Sequence, residues 1–384
     1  MRKRLRVVVE GWRFLNHSYA VSNRHYLQWL LNDPRLEVYH REMPYFRPDW
    51  QAVPSYVFPS HLSPALELGT PPSGFEPDWT LRFDFPHRLS PPQHGRLLVF
   101  MTSEYTRLNL ENIAPGLSLE QAARDDRVHL LTCSLWSARS IAASGFPAEK
   151  IWLIPLGVEQ SSFEPTEPHR KAAIRARLGI GDDEHVILNV GAGTFNKGLD
   201  LVIQAFAKLA AIKPRQRLII KGLDAIYGNA ISNIARLSDV QAAVAALIAK
   251  GQVLYIGSDL SDAQMDELYR LADTYVTPYR AEGFNIPALE AAARGLQVIA
   301  TEGGSTDDFL HCFPNATGVD ATPNALAQGI GFLEPDRAGL ESAILAASEI
   351  RLASTSTSEQ ALRFSWGAVS HQLSQRLLGY PFHG

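Results

Sequence analysis

Two glutamates, Glu282 and Glu290, bracket the run Gly283-Phe284-Asn285-Ile286-Pro287-Ala288-Leu289. The run reads as a helix start. Asn285 suits an N-cap, and Pro287 fits the first turn, where a missing N–H costs nothing. Ala288 to Arg294 are good helix formers, and Gly295 is a natural stop. Backbone N–H groups around Gly283 to Pro287 would then point out of a helix N-terminus, which attracts phosphate. A carboxylate cannot hold a phosphate, but it accepts hydrogen bonds from hydroxyls. Phosphate on the backbone, with hydroxyls on Glu282 and Glu290, is the arrangement a nucleotide sugar requires. A plain helix start, its acidic residues favoured by the macrodipole, accounts for the same residues without a ligand.

A second candidate lies upstream. The apolar run 186–190 reads as a strand that enters Gly191-Ala192-Gly193-Thr194-Phe195-Asn196-Lys197-Gly198. Leu201, Val202, Ala205, Phe206 and Leu209 follow at helical spacing. A glycine loop between strand and helix, closed by a lysine, is either a pyrophosphate clamp or only a turn. Its spacing is neither that of G-x-G-x-x-G nor that of a Walker A loop. In the first half, the strand 5–9 ends at Gly11, read as a tight turn, and the helix after Asn16-His17-Ser18 carries Tyr26, Leu27 and Leu30. The strand 96–101 ends in Thr102-Ser103-Glu104-Tyr105-Thr106-Arg107-Leu108. His17, His25, His87 and His94 share no spacing and read as structural.

These residues need a scaffold. Short segments at 36–39, 79–83, 128–132 and 151–155, then at 217–221, 253–256, 275–278 and 297–301, read as strands. Helical segments at 172–178, 223–250 and 262–272 separate those of the second half. Repeated strand–helix units imply an α/β protein of two doubly wound parallel-sheet domains, 1–163 and 170–363. The polar stretch 159–169, with two prolines, is the expected linker. The proline-rich stretch 43–92 carries aromatics that require burial, so it reads as loops packed over the first domain. A last amphipathic helix carries Trp366, Val369, Leu373 and Leu377.

Bulk properties narrow the function classes. A length of 384 residues suits two domains, and 46% hydrophobic with 20% charged residues is a globular composition. The net charge of −4 gives no electrostatic case for nucleic acid. Two cysteines, Cys133 and Cys312, in no ligand spacing suit a reducing compartment and exclude a disulfide scaffold. No apolar run approaches a membrane span, and the basic start lacks the apolar stretch of a signal peptide. A cytoplasmic protein with at most peripheral membrane contact is expected.

The motifs together resemble the family-4 retaining glycosyltransferases of the GT-B fold, over most of the chain. Glu282-Gly283-Phe284 through Glu290, then Gly303-Gly304, resembles that family's Glu-x7-Glu donor site. Lys197-Gly198 resembles its donor-phosphate lysine. Ser134-Leu135-Trp136-Ser137, Gly145-Phe146-Pro147-Ala148-Glu149-Lys150 and Ile154-Pro155-Leu156-Gly157-Val158 resemble the end of its first domain. Residues 102–108 resemble a W-E-T-T-R-L stretch of one branch. The resemblance implies two Rossmann-like domains facing a cleft, with the terminal helix, 364–384, crossing back to the first. It implies a hexosyltransferase-type enzyme of polysaccharide or glycan biosynthesis, which moves sugar from a nucleoside diphosphate to a hydroxyl without a metal or other cofactor. Glu290 would hold the ribose, and Glu282 would meet the sugar. Gly191, Lys197 and the backbone of Gly283, Phe284, Asn285 and Ile286 would neutralise the leaving diphosphate. Gly11, Ser18, Arg82 and Arg107 would face the acceptor, whether a glycan, a lipid-linked or a small molecule. Two positions depart from the pattern. Ala192 stands where the family carries an arginine, leaving Lys221, Arg280 or Arg294 to compensate. Glu104 stands near a place where many relatives have a histidine; it is either catalytic or the partner of an arginine such as Arg107. A non-catalytic binding protein, and an epimerase or phosphorylase on the same fold, remain as alternatives.

Overall fold

The structure, a computed structural model, describes residues 4–326, 329–350 and 359–380. The first three residues of the basic start and the last residues of the expected terminal segment, 381–384, lie outside that range. The chain divides into two units, residues 1–157 with 363–384, and residues 158–362.

The first unit is built on a parallel sheet of β1 (Leu5–Gly11), β2 (Leu36–Glu42), β3 (Trp79–Phe83), β4 (Arg96–Phe100), β5 (Val128–Thr132) and β6 (Ile151–Leu153), in the order β2-β1-β3-β4-β5-β6. Every residue of β3 and β5 is buried, as strands covered on both faces require. The chain steps from β1 outward to β2 and then back to β3, so the sheet reverses direction between β1 and β3. Gly11 ends β1 in strand pairing rather than turning the chain; a Cβ there would meet Phe83 O at 2.7 Å. The terminal helix Trp366–Gly379 belongs to this unit and packs on the helix Ser18–Leu31. Trp366 stacks on His25 with ring centroids 4.6 Å apart. Gly157 and Gly367 permit the approach: a Cβ on the first would lie 2.8 Å from Trp366 N, and on the second 2.9 Å from the Trp29 ring. The proline-rich stretch packs through Trp50, Phe58 and Leu62, which are buried, whereas its aromatics Phe46 and Tyr56 stay exposed.

The second unit holds β7 (His185–Val190), β8 (Gln216–Lys221), β9 (Val253–Ile256), β10 (Thr274–Thr277), β11 (Gln297–Thr301) and β12 (Ala316–Val319), parallel and in the order β12-β11-β10-β7-β8-β9. The helix Leu199–Ile212 drives Leu201, Val202 and Phe206 against Leu218 and Ile220 of β8 on one face. The segment 223–250 is three helices, Asp224–Tyr227, Ala230–Leu237 and Gln241–Ala249, because Gly228 at φ +74° and a short extended stretch interrupt it. β12, the antiparallel pair β13 (Ala321–Ala325) and β14 (Gly331–Pro335), and the helix Arg337–Ala347 complete the unit. The stretch 159–169 does not hang free. Arg270 donates to Ser161 O, Glu164 O and Thr166 Oγ1 at 3.0 Å each, which fastens it to the second unit.

Candidate active site

Open parallel sheets bind ligands at the carboxyl ends of their strands, where the strand order reverses. In the second unit that point lies between β7 and β10. β7 feeds Gly191 to Thr194 and the turn Phe195–Lys197; β10 feeds residues 278–285 and the helix Ile286–Ala293. The two loops are stitched together. The amides of Arg280 and Ala281 donate to Asn196 O at 2.7 and 3.2 Å, and Asn196 Nδ2 donates to Ala281 O at 3.2 Å. Gly198, at φ +69°, lies so close that a Cβ would sit 2.0 Å from Pro278 O. This stitching brings Lys197 Nζ to 2.7 Å from Glu282 Oε2. The other Glu282 oxygen accepts from Gly283 N at 2.9 Å.

Asn285 caps the helix in the left-handed region, at φ +73°. Its Oδ1 accepts from Ala288 N at 3.2 Å, and its Nδ2 donates to Thr277 Oγ1 at 2.9 Å. The amides of Phe284, Asn285 and Ile286 have no acceptor among the described residues, the arrangement that receives an anion. The Phe284 side chain is core, 5.1 Å from the Phe309 ring. One turn inside, Glu290 accepts from Tyr269 OH at 2.6 Å. Loss of water around it raises its pKa above the ordinary 4.5, although Arg294 and the Tyr269 hydrogen bond pull the other way.

The three cations that could stand in for an arginine at 192 have different fates. Arg280 is committed: it is bidentate to Asp200 at 2.9 Å, pairs with Glu334 at 2.7 Å, and lies over the Phe195 ring. Arg294 pairs with Asp266 at 2.9 Å and bonds its own helix through Glu290 O. Lys221, which ends β8, is buried, and its carbonyl accepts from Gly191 N at 3.0 Å.

In the first unit, Gly11 and Arg82 stand at the reversal between β1 and β3. Arg82 is not presented to an acceptor. It is buried against Glu10, with Nε 2.7 Å from Oε2, and it also donates to Arg88 O and Ser90 O. Ser18 is exposed at the start of its helix. Glu104 follows β4 on a loop held by hydroxyls: Ser103 N donates to Ser137 Oγ at 2.6 Å, Ser140 Oγ to Ser103 Oγ at 2.6 Å, and Trp136 Nε1 to Glu104 O at 2.8 Å. Arg107 is exposed. His25 and His87 are buried, and His94 is exposed.

Tyr269, Asn196, Asp200 and Glu334 support the site without having been singled out. Their partners lie 21 to 85 residues away in sequence, so no local spacing marks them. A hollow of about 960 Å³, lined by Lys171, Arg175, His185 and Asp273, opens at the opposite, amino-terminal edge of this sheet. That is the wrong edge for chemistry in such a sheet, and its charged groups are already paired with one another.

The profile of the family described as Glycosyl transferases group 1 matches residues 170–347. A D-inositol 3-phosphate glycosyltransferase of Thermobispora bispora is 30% identical over 234 residues, 60% of this chain and 50% of that protein. The chain spans about half the length of the curated relatives it matches. Among solved structures, a glycosyltransferase from Rickettsia africae ESF-5 superposes with a TM-score of 0.67 at 13% identity, covering 99% of this chain and 100% of that one. Anabaena Alr3699/HepE, in complex with UDP and glucose, gives 0.64 at 14% identity over 98% and 100%. These two share the fold. Both units are thus those of a GT-B fold, and residues 170–347 are similar to the glycosyl transferases group 1 family.

Proposed function

We propose that the protein is a retaining, metal-independent glycosyltransferase that moves a hexose from a nucleoside diphosphate to a hydroxyl of a glycan, lipid-linked or small-molecule acceptor. One observation carries the reading: Lys197 and Glu282 meet at 2.7 Å beside three unbonded amides at a helix N-terminus. A donor diphosphate laid on the amides of Phe284, Asn285 and Ile286 competes with Glu282 for Lys197. The lysine turns to the phosphate, and Glu282 is released to accept from sugar hydroxyls. Glu290 takes the ribose hydroxyls. Amides and ammonium are aimed where charge grows as the diphosphate leaves, so the barrier falls without a metal. Glu104, at the carboxyl end of β4, is the acceptor-side carboxylate of this reading.

Thermal unfolding in the presence of UDP-, GDP- and ADP-sugars tests it. A donor at 100 times its Kd adds roughly 2.7 kcal/mol and raises the melting temperature. The linkage of the transferred sugar, read by NMR, should keep the donor's anomeric configuration, and a chelator should leave the rate unchanged. A response to no nucleotide sugar would sink the reading. An epimerised donor or a sugar 1-phosphate product would replace it with the corresponding enzyme of the same fold.

A further inference from the structure

Lys221 is a poorly matched buried cation. It is 4% exposed, and among the described residues its ammonium makes one hydrogen bond, to Gly222 O. Among the described residues no carboxylate forms an ion pair with it. Asp224 and Asp259 act on it only from a distance. Asp224 is itself engaged by Tyr255 OH and by Asn229 Nδ2. Burial lowers the lysine's pKa from 10.5, the mark of a charge the fold solvates badly. A core position tolerates such a group poorly. A ligand site gains from one, because donors left unfilled there await an acceptor.

Its position says which acceptor. Leu218 and Ile220 face the helix Leu199–Ile212, so alternation along β8 turns Ile219 and Lys221 to the other face. The chain reaches β8 and β9 in one direction from β7, then returns past β7 to β10 and β11. Right-handed crossovers therefore put the helices Asp262–Leu271 and Ile286–Ala293 on that other face, and Glu290 with them. With the diphosphate at the junction of β10 and β7 and the ribose on Glu290, the base comes to lie one strand further on. Strands are about 4.8 Å apart, which carries the base over the end of β8.

We propose that Lys221 reads the donor's nucleobase by donating a hydrogen bond to the keto oxygen that uracil carries at C4 and guanine at C6. Cytosine and adenine present an amino group there and leave the ammonium unfilled. The inference rests on the nucleotide-sugar reading above and adds the selectivity of its base subsite.

Calorimetric titration of the full chain with the pairs UDP and CDP, and GDP and ADP, tests it. In at least one pair the keto nucleotide should bind at least tenfold more tightly. Lys221→Met, which keeps the length of the side chain, should weaken that nucleotide about 10- to 100-fold, the worth of a charged hydrogen bond. It should also bring the pair within threefold of each other. No preference within either pair of the wild-type protein overturns the proposal without needing a folded variant. Equal weakening of both members by Lys221→Met also overturns it, and assigns the lysine to the diphosphate or to packing. Binding of no nucleotide at all defeats the nucleotide-sugar reading itself, an outcome distinct from binding without selectivity.

Discussion

Lys197 and Glu282 satisfy each other, but Glu290 sits in a less comfortable balance. Its carboxyl is raised in pKa by loss of water and held by one phenol, Tyr269. Ribose hydroxyls would donate to the ionised form and so lower that pKa on binding. The sign follows: affinity is full where Glu290 is ionised and falls as pH drops through its raised pKa, a loss that begins above pH 4.5. The diphosphate also titrates, near pH 6, so the comparison that isolates Glu290 is with Glu290→Gln. That variant should bind nucleoside diphosphate at least tenfold more weakly at neutral pH, and its affinity should change less with acid than the wild type's. Parallel pH curves for the two proteins would show that Glu290 does not meet the ligand.

At the scale of elements, the sequence is most informative where a strand or helix announces itself locally. β1, β4 and β7 carry uninterrupted apolar runs at 7–9, 97–100 and 186–188, and the helix Ile286–Ala293 shows its cap, its proline and its terminal glycine in one short stretch. Lys197 and Glu282 stood out by type. What was not legible is pairing: Arg280 reads as a spare cation until Asp200 and Glu334 arrive from 80 and 54 residues away. Arg82 reads as an acceptor contact until Glu10 meets it across two paired strands. β12 and β13 hold almost no buried residues, so their alternation is weak. The element that positions the site gives its own test. Asn285 both caps the helix and tolerates φ +73°. Asn285→Ala removes the cap, about 1 kcal/mol, and adds left-handed strain of roughly another 1 kcal/mol. Asn285→Gly relieves the strain and should cost only a few tenths. Urea unfolding followed by far-UV circular dichroism should rank them Asn285, Gly, Ala; equal stability of the Gly and Ala variants would show that the backbone at 285 is not strained.

At the scale of the whole molecule, the two units differ in how they meet acid. The first buries His25, His40, His87 and His129. Burial lowers all four: His40 to about 3, His87 and His129 to about 4, and His25 by burial together with the nearby Arg24 charge. A histidine depressed in the folded state contributes stability that is complete above its unfolded value of 6.5 and is lost as pH falls from there toward 4. At about 1.4 kcal/mol per unit, His87 and His129 together remove several kcal/mol over that window, a large part of a domain's usual margin. The second unit has one such residue, His185; its depressed carboxylates, Glu184, Asp266 and Asp273, start lower and act at more acid pH. The chain supplies its own reporter. All seven tryptophans, Trp12, Trp29, Trp50, Trp79, Trp136, Trp152 and Trp366, belong to the first unit. Acid titration should therefore shift tryptophan fluorescence to the red between pH 6.5 and 4, before the second unit's share of the far-UV signal is lost. His87→Gln with His129→Gln should move that transition to lower pH. Coincident fluorescence and circular dichroism transitions, or a midpoint unmoved by the double variant, would show that these histidines do not set the acid limit of the first unit.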